Sequence, residues 1–432
     1  MTRHNLNANY LIGQGYDGAS AMSGKFNGVQ ATIRRQHDCA VYVHCASHCL
    51  NLTLSHSCEQ QSIRNATGVI QQTANFLNAS ARRVAMMERC LDAVPETKRR
   101  RVKQLCATRW VERHDAVTSF ITLYPAIMRC LEQCADELSD AKAAATARML
   151  LLAIQQPDFL VSACVLSDVL SMTHHLAELL QSVQIDLLHA MSYVRDVVAV
   201  LEKKRETADD SFGGIWTQAQ ELAGLSDTEL VLPRLNIRQR NRVNVPAGSP
   251  QEYFKRSIFI PFLDHVLGDL KERFADHNSA VYCLSTLIPA FIHQYSFDDL
   301  LPALEMYDKF VDDNRNKLRS EFDLWNQRWI NCAEAELPKS AIDSVAACNE
   351  SLYPNVAVLL QVLATLPVTT ATAERSFSTL KRLKTYLRSS MADDRLTSLA
   401  LIHVHAETIP IDAAEVIDKF ALSGPHKLNF LR

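Results

Sequence analysis

From Val169 to Leu201 the apolar residues recur at the spacing of one helix face: Val169, Met172, Leu176, Leu179, Leu180, Val183, Leu187, Met191, Val194, Val198 and Leu201. Steps of three and four keep side chains on one side of a 3.6-residue helix, whereas a strand needs alternation. A stripe this long, between Ser167 and Lys204, predicts one very long helix or two joined at a kink. A second stripe lies between Glu112 and Leu138, through Val117, Phe120, Ile121, Tyr124, Ile127, Met128 and Leu131. Only 12 of the 432 residues are Gly, so helix breakers are sparse. The chain is therefore expected to be mostly helical, with both stripes serving as helix–helix core.

The first fifty residues break that pattern. Tyr10-Leu11-Ile12-Gly13 and Ala40-Val41-Tyr42-Val43-His44 hold β-branched or aromatic residues, and each leads into a helical stretch. Both are expected as short strands of an α/β fragment. Helical pattern begins at about residue 59. Residues 204–250 contain Gly213, Gly214, Pro233, Pro246, Gly248 and Pro250 and are expected as a long loop. Helices are expected again from Gln251 to about Asn331, from Pro354 to Leu366, and from about Glu374 to Leu387.

With 47% hydrophobic and 22% charged residues, the composition is that of a globular protein of two or three lobes. A net charge of −3 excludes polyanion binding by bulk charge, so any nucleic-acid contact must come from local basic patches. The 12 cysteines show no framework spacing, which favours a reducing interior. The polar start, Met1 to Asn9, has no signal-peptide core. The apolar run Val356 to Leu366 is interrupted by Gln361 and is too short to span a bilayer. A soluble, intracellular protein with no membrane partner is expected.

Two carboxylates stand out. Asp17 follows the first expected strand, in Gly15-Tyr16-Asp17-Gly18-Ala19-Ser20, and strand ends are where α/β sheets present ligand-binding side chains. Glu374 opens a helix near the other end of the chain. Two acids so placed can share Mg²⁺ for phosphoryl transfer. Taken singly, each has a stronger structural reading: Asp-Gly is a common turn pair, and Glu suits the first turn of a helix.

The stretch from Leu366 to Ser378, Leu-Pro-Val-Thr-Thr-Ala-Thr-Ala-Glu-Arg-Ser-Phe-Ser, resembles the C-terminal signature of the hAT transposase family. Lys381-Arg382-Leu383-Lys384 and Arg395-Leu396-Thr397 continue that resemblance. Three further motifs follow the family's order: Gly15-Tyr16-Asp17-Gly18-Ala19-Ser20, Cys45-Ala46-Ser47-His48-Cys49-Leu50-Asn51-Leu52 and Thr108-Arg109-Trp110. The resemblance covers nearly the whole chain. It is closest to the branch of zinc-finger MYM-type and protein-kinase-inhibitor-repressor-like proteins.

The resemblance implies a mostly α protein with an α/β ribonuclease-H-like core, incomplete at the N-terminus and interrupted by a large all-helical insertion. The corresponding boundaries are 1–58 for the partial core, 59–350 for the insertion with its loop near 204–250, and 351–432 for the C-terminal helices and dimerisation region. Asp17 would be the second acid of an Asp-Asp-Glu triad and Glu374 the third. The first belongs upstream of Asp17, where the sequence holds neither Asp nor Glu. The expectation is that this chain alone carries out no strand transfer and has no cofactor. Mg²⁺ belongs to the ancestral enzyme and would meet Asp17 and Glu374 only in a completed triad. The family's N-terminal zinc-finger module is also expected to be absent.

His37, Cys39, His44, Cys45, His48, Cys49, His56 and Cys58 crowd together, which invites a zinc reading. No Cys-x₂-Cys pair occurs among them, and the adjacent His44 and Cys45 cannot easily face one ion. Cys45 and His48 are read instead as packing at a strand–helix junction, beside the active site in the family. Arg109 and Trp110 support two readings. The indole can stack on an unpaired base, worth about 1–3 kcal/mol, or anchor the helix starting near Glu112. The resemblance sets this pair near flipped bases. Lys98, Arg99, Arg100, Arg101 and Lys103 suit nuclear import or phosphate contact. Arg234, Arg238, Arg240 and Arg242 form a second basic patch in the expected loop.

Three functions compete. One is a non-catalytic, transposase-derived nuclear protein that dimerises and associates with DNA. Another is a fragment of an active cut-and-paste transposase, and the third a helical interaction scaffold. The resemblance places the family's dimerisation region on the C-terminal helices, so self-association is expected through Phe377, Leu380, Leu383, Leu387 and Leu399. With Leu396 and Leu401 these supply more apolar face than a terminal helix pair leaves in water, so some of them are expected to pack on the chain's own sheet and insertion. No small-molecule substrate is expected.

Overall fold

A computed structural model describes residues 7–92, 102–103, 105, 110–181, 187–233, 245–275, 282–292, 295–384, 390–405 and 412–423. The chain is mostly helical and divides into two compact units, Met1–Thr369 and Thr370–Arg432.

The first unit begins with a 3₁₀ turn, Ala8–Tyr10, followed by strand β1 (Gly13–Tyr16), α1 (Ser20–Ser23), α2 (Val29–Gln36) and strand β2 (Val41–His44). The strands pair in parallel, with Gly13 opposite Val41 and Tyr16 opposite His44. Parallel neighbours need a crossover, and α1 and α2 supply it. β1 lies downstream of the strand expected at Tyr10–Gly13. Tyr10 is 70% exposed and belongs to the turn. The strand instead uses Gly13 and Gly15, because another chain segment lies too close for side chains there. A Cβ on Gly13 would stand 2.8 Å from Leu366 Cδ2, and one on Gly15 2.9 Å from Pro367 Cβ. On β2, Val41 and Val43 point into the core.

A run of helices follows: α3 (Ala46–Ser57), α4 (Gln61–Asn78), α5 (Ala81–Asp92), α6 (Trp110–Thr122), α7 (Tyr124–Glu137), α8 (Ala141–Ile154), α9 (Pro157–Leu180), α10 (Leu187–Glu206) and α11 (Ala208–Leu225). The stripe between Glu112 and Leu138 forms two helices, α6 and α7. Pro125 sits in the first turn of α7, where its missing N–H costs nothing, and α6 stops before it. The longer stripe is likewise two helices, α9 and α10. They are tied by Lys204, whose ammonium lies 2.6 Å from Asp168.

Helix α9 packs against α4, α6, α10 and α11. By length and composition it could cross a bilayer, but 72% of its apolar window is buried in the unit. That makes it a core helix by packing.

The loop expected over 204–250 is corrected in its first half, where α10 ends at Glu206 and α11 occupies Ala208–Leu225. Phe212, Ile215, Ala219 and Leu222 are buried along one face of α11. This packing outweighs the helix-breaking tendency of Gly213 and Gly214. Downstream, α12 (Pro250–Phe254) runs through one π-helical turn, Lys255–Phe259, into α13 (Ile260–Ala275). His56 of α3 meets Asp269 of α13 at 2.6 Å.

The rest of the first unit contains helices Phe297–Met306, Arg315–Trp329, Ala341–Ala347 and Pro354–Thr365. Trp325 is fully buried, and its indole N–H donates to the Leu287 carbonyl at 2.9 Å. Helix Pro354–Thr365 has no side-chain cap of its own. The buried Glu321 carboxylate caps it from the neighbouring helix, accepting from the Val356 amide and the Asn355 side chain, each at 2.8 Å. The second unit contains helices Ala371–Leu383, Asp393–Val404 and Ala413–Ser423. The first of these starts three residues before the position expected.

Candidate functional site

Three of the sequence motifs meet at the C-terminal ends of β1 and β2. Cys45 is buried at the junction of β2 and α3. Its amide donates to the Tyr16 carbonyl at 3.0 Å, and the next amide, Ala46, donates to the Val368 carbonyl at 3.0 Å. The Cys45 thiol lies 3.5 Å from the Thr369 hydroxyl. The segment Leu366–Thr369 is thereby held against β1, in the space that Gly13 and Gly15 leave open.

Asp17 sits just past β1 and is exposed. Its Oδ1 accepts from the Ala19 amide at 3.3 Å, closing the turn into α1, while its carbonyl accepts from the Tyr42 hydroxyl at 3.4 Å. Gly18 lies close beside it: a Cβ there would stand 2.9 Å from His44 Nε2, so the imidazole would have to turn aside. Tyr16, Tyr42, His44 and His48 form a row of rings, with successive centroids 6.2, 6.2 and 5.9 Å apart. Burial pushes the Tyr42 phenol up to about 12 and raises Tyr16 as well. Both hydroxyls therefore stay protonated at neutral pH.

His48 is half-buried one turn into α3. Burial pushes the neighbouring Cys49 thiol up to about 12, so that group is a packing residue and not a ready thiolate. Among the described residues neither Cys45 nor His48 belongs to a set of three converging ligands.

Glu374 lies in the second unit, exposed in the first turn of helix Ala371–Leu383. Its Oε1 accepts from the Thr370 hydroxyl at 3.0 Å. Neither Asp17 nor Glu374 belongs to a three-ligand set among the described residues.

The basic residues Lys98, Arg99, Arg100 and Arg101, together with Arg109, Arg234, Arg238, Arg240, Arg242 and Leu387, lie outside the described residues. Trp110 is the first residue of α6, and its side chain also lies outside them. Lys103 is described, and its ammonium pairs with Asp115 at 2.6 Å.

In the second unit Phe377 is 69% and Leu401 52% exposed. Leu380, Leu383, Leu396 and Leu399 are half-buried where helices Ala371–Leu383 and Asp393–Val404 pack. Leu380, Leu396, Ala400, Leu401 and Val404 line an apolar groove of about 350 Å³. Helix Ala413–Ser423 adds Val416, Ile417 and Phe420, all exposed. Sequence reasoning missed these three, although their spacing of one and three is a helical stripe.

Comparison with known proteins matches two parts of the chain. Residues 311–408 match the hAT family C-terminal dimerisation region, and residues 1–28 match the ZMYM1/FAM200 RNase-like domain. Over 410 residues the chain is 28% identical to the human 52 kDa repressor of the inhibitor of the protein kinase, covering 93% of this chain and 54% of that protein. The mouse protein of the same name is 28% identical over 411 residues, with the same coverage. The chain spans about half the length of the curated relatives it matches.

Proposed function

We propose that this hAT-derived chain, a transposase-derived protein carrying the family's C-terminal dimerisation region, self-associates through its second unit and acts on nucleic acid in the nucleus. One observation carries the first part. Within the matched region 311–408, apolar residues divide at Thr369. Before it, Trp325, Leu359, Leu360 and Leu363 are buried in the first unit. Beyond it, Phe377, Leu401, Ile402 and Val404 remain 69%, 52%, 48% and 46% exposed.

A soluble surface rarely leaves so much apolar area in one small helical unit. A second copy presents the same face, as a two-fold interface requires. Each large side chain covered contributes about 1.5–3 kcal/mol. Light scattering on the purified chain is expected to give a dimer at micromolar concentration, and Phe377→Asp with Leu401→Asp to give a monomer of unchanged helicity. A strictly monomeric parent chain would defeat the proposal.

The nucleic-acid part is supported by the resemblance of Thr108-Arg109-Trp110 and by the cations Lys98 to Arg101, with the word "repressor" in the relatives' name. In this reading the α/β fragment descends from a ribonuclease-H-like core, and Asp17 and Glu374 from its metal-holding acids. Replacing Lys98, Arg99, Arg100 and Arg101 by Ala should lower affinity for a short duplex and flatten its salt dependence by up to about one log unit per lost phosphate contact. Equal anisotropy titrations at low salt for parent and variant would leave the helical scaffold as the better reading.

A further inference from the structure

Helices α6 and α9 bring His114, Asp115 and His174 together, with one ligand atom of each within 4.8 Å of the others. The two imidazole centroids are 4.2 Å apart. Asp115 Oδ2 meets Lys103 at 2.6 Å, and its Oδ1 lies 3.7 Å from His114 Nδ1.

The outer nitrogens are already engaged. His174 Nε2 lies 3.3 Å from Glu178 Oε1, one turn along α9. His114 Nε2 lies 3.2 Å from the Ser171 hydroxyl and 3.3 Å from that of Thr118. On His174 this leaves Nδ1, which is buried and has no hydrogen-bond partner among the described residues. A histidine whose outer nitrogen is held by a carboxylate or hydroxyl, with the inner one left over, is arranged as metal-binding histidines are.

We infer that His114, Asp115 and His174 form a site for a divalent transition metal, zinc being the best match, that pins α6 to α9. Two imidazoles and one carboxylate suit zinc, with water completing a tetrahedron. Bonds of about 2.0–2.1 Å put tetrahedral ligand atoms about 3.3 Å apart, so closing the site takes shifts of about 1.5 Å or less. Side-chain rotation can supply that. His175 is mostly exposed and faces Glu178 at 3.5 Å, outside this set. Because α6 begins at Trp110, the metal would fix the helix start that follows Arg109.

The test is titration of the metal-stripped full chain with Co²⁺, followed by visible absorption, and with Zn²⁺ against a chromophoric chelator. One metal per chain is expected, with the d–d bands of a four-coordinate nitrogen–oxygen site and no thiolate-to-cobalt band. His174→Gln and Asp115→Asn should each weaken binding by about tenfold or more. Glu178→Gln, an exposed change that leaves all three ligands in place, should weaken it by about 10–100-fold, and it keeps the test open if a ligand variant does not fold. The site is overturned by no bound Co²⁺ at a several-fold excess, by a thiolate band that would put the metal on the cysteines, or by parental affinity in a folded His174→Gln.

Discussion

The amide of Ala46 donates to the carbonyl of Val368 at 3.0 Å, joining the start of α3 to the segment that precedes the second unit. The same segment lies close against β1 at Gly13 and Gly15. A Cβ on Gly15 would stand 2.9 Å from Pro367 Cβ, a ring carbon with little freedom to move, so the strand or the segment would have to shift. Gly15→Val is therefore expected to lower stability by about 1–3 kcal/mol through overpacking. Urea denaturation reads the change, and a loss below about 0.5 kcal/mol would mean the segment is not seated on the strand as described.

Glu321 is buried at 6% exposure and holds two donors of the neighbouring helix, Asn355 Nδ2 and the Val356 amide. A carboxylate at a helix N-terminus also meets the positive end of the helix dipole. Glu321→Ala strands both donors in the core, at an expected cost of about 2–4 kcal/mol. Glu321→Gln keeps an acceptor oxygen and should cost less. Equal losses for the two variants would show that one retained acceptor oxygen and the side chain's volume count for little, and that the helix end needs the charged carboxylate with both oxygens.

Several thiols give the fold an alkaline limit. Burial pushes Cys49 and Cys164 up to about 12 and Cys58 up to about 11, against an ordinary value of 9.0. A group whose folded pKa is raised contributes its full stability below the unfolded pKa. That contribution is lost as pH rises from about 9 toward the folded value, because only the unfolded chain releases the proton. Each thiol can account for up to about 3–4 kcal/mol, at 1.36 kcal/mol per unit. The urea midpoint is expected to fall between about pH 9 and 11, and Cys49→Ala should fall less steeply than the parent. Identical slopes would remove Cys49 from the account.

The helical stripes were legible because burial imposes its period on the sequence. Phe120, Ile127, Val169 and Leu176 fall on the core face by spacing alone, and all are buried. The break between α6 and α7 was not read from the sequence, because the stripe runs on unbroken across Pro125. The position of β1 was not, because Gly13 and Gly15 answer to Leu366 and Pro367, which no local pattern connects to them. Motif resemblance singled out Asp17, Cys45 and the Leu366–Thr369 stretch, yet nothing in their spacing says that the second and third touch. The cluster of His114, Asp115 and His174 was invisible for the same reason: its members sit on two helices separated by α7 and α8.

Gly213 and Gly214 show how a local rule can be overridden. A glycine pair ordinarily marks a loop, since glycine loses the most backbone freedom on ordering. In α11 the pair lies between Phe212 and Ile215, both buried, and the packed face holds the backbone helical around them. A Cβ on either glycine would meet nothing within 4 Å. The helix therefore carries an entropic cost with no packing benefit in return. Gly213→Ala and Gly214→Ala should each raise stability by about 0.5–1 kcal/mol, chiefly by narrowing the unfolded ensemble. The two gains need not add fully, because the residues are adjacent. Thermal and urea unfolding of the single and double variants measure the effect. A loss of stability in either single variant would show that this stretch is not the helix described or that a partner packs against the glycine face.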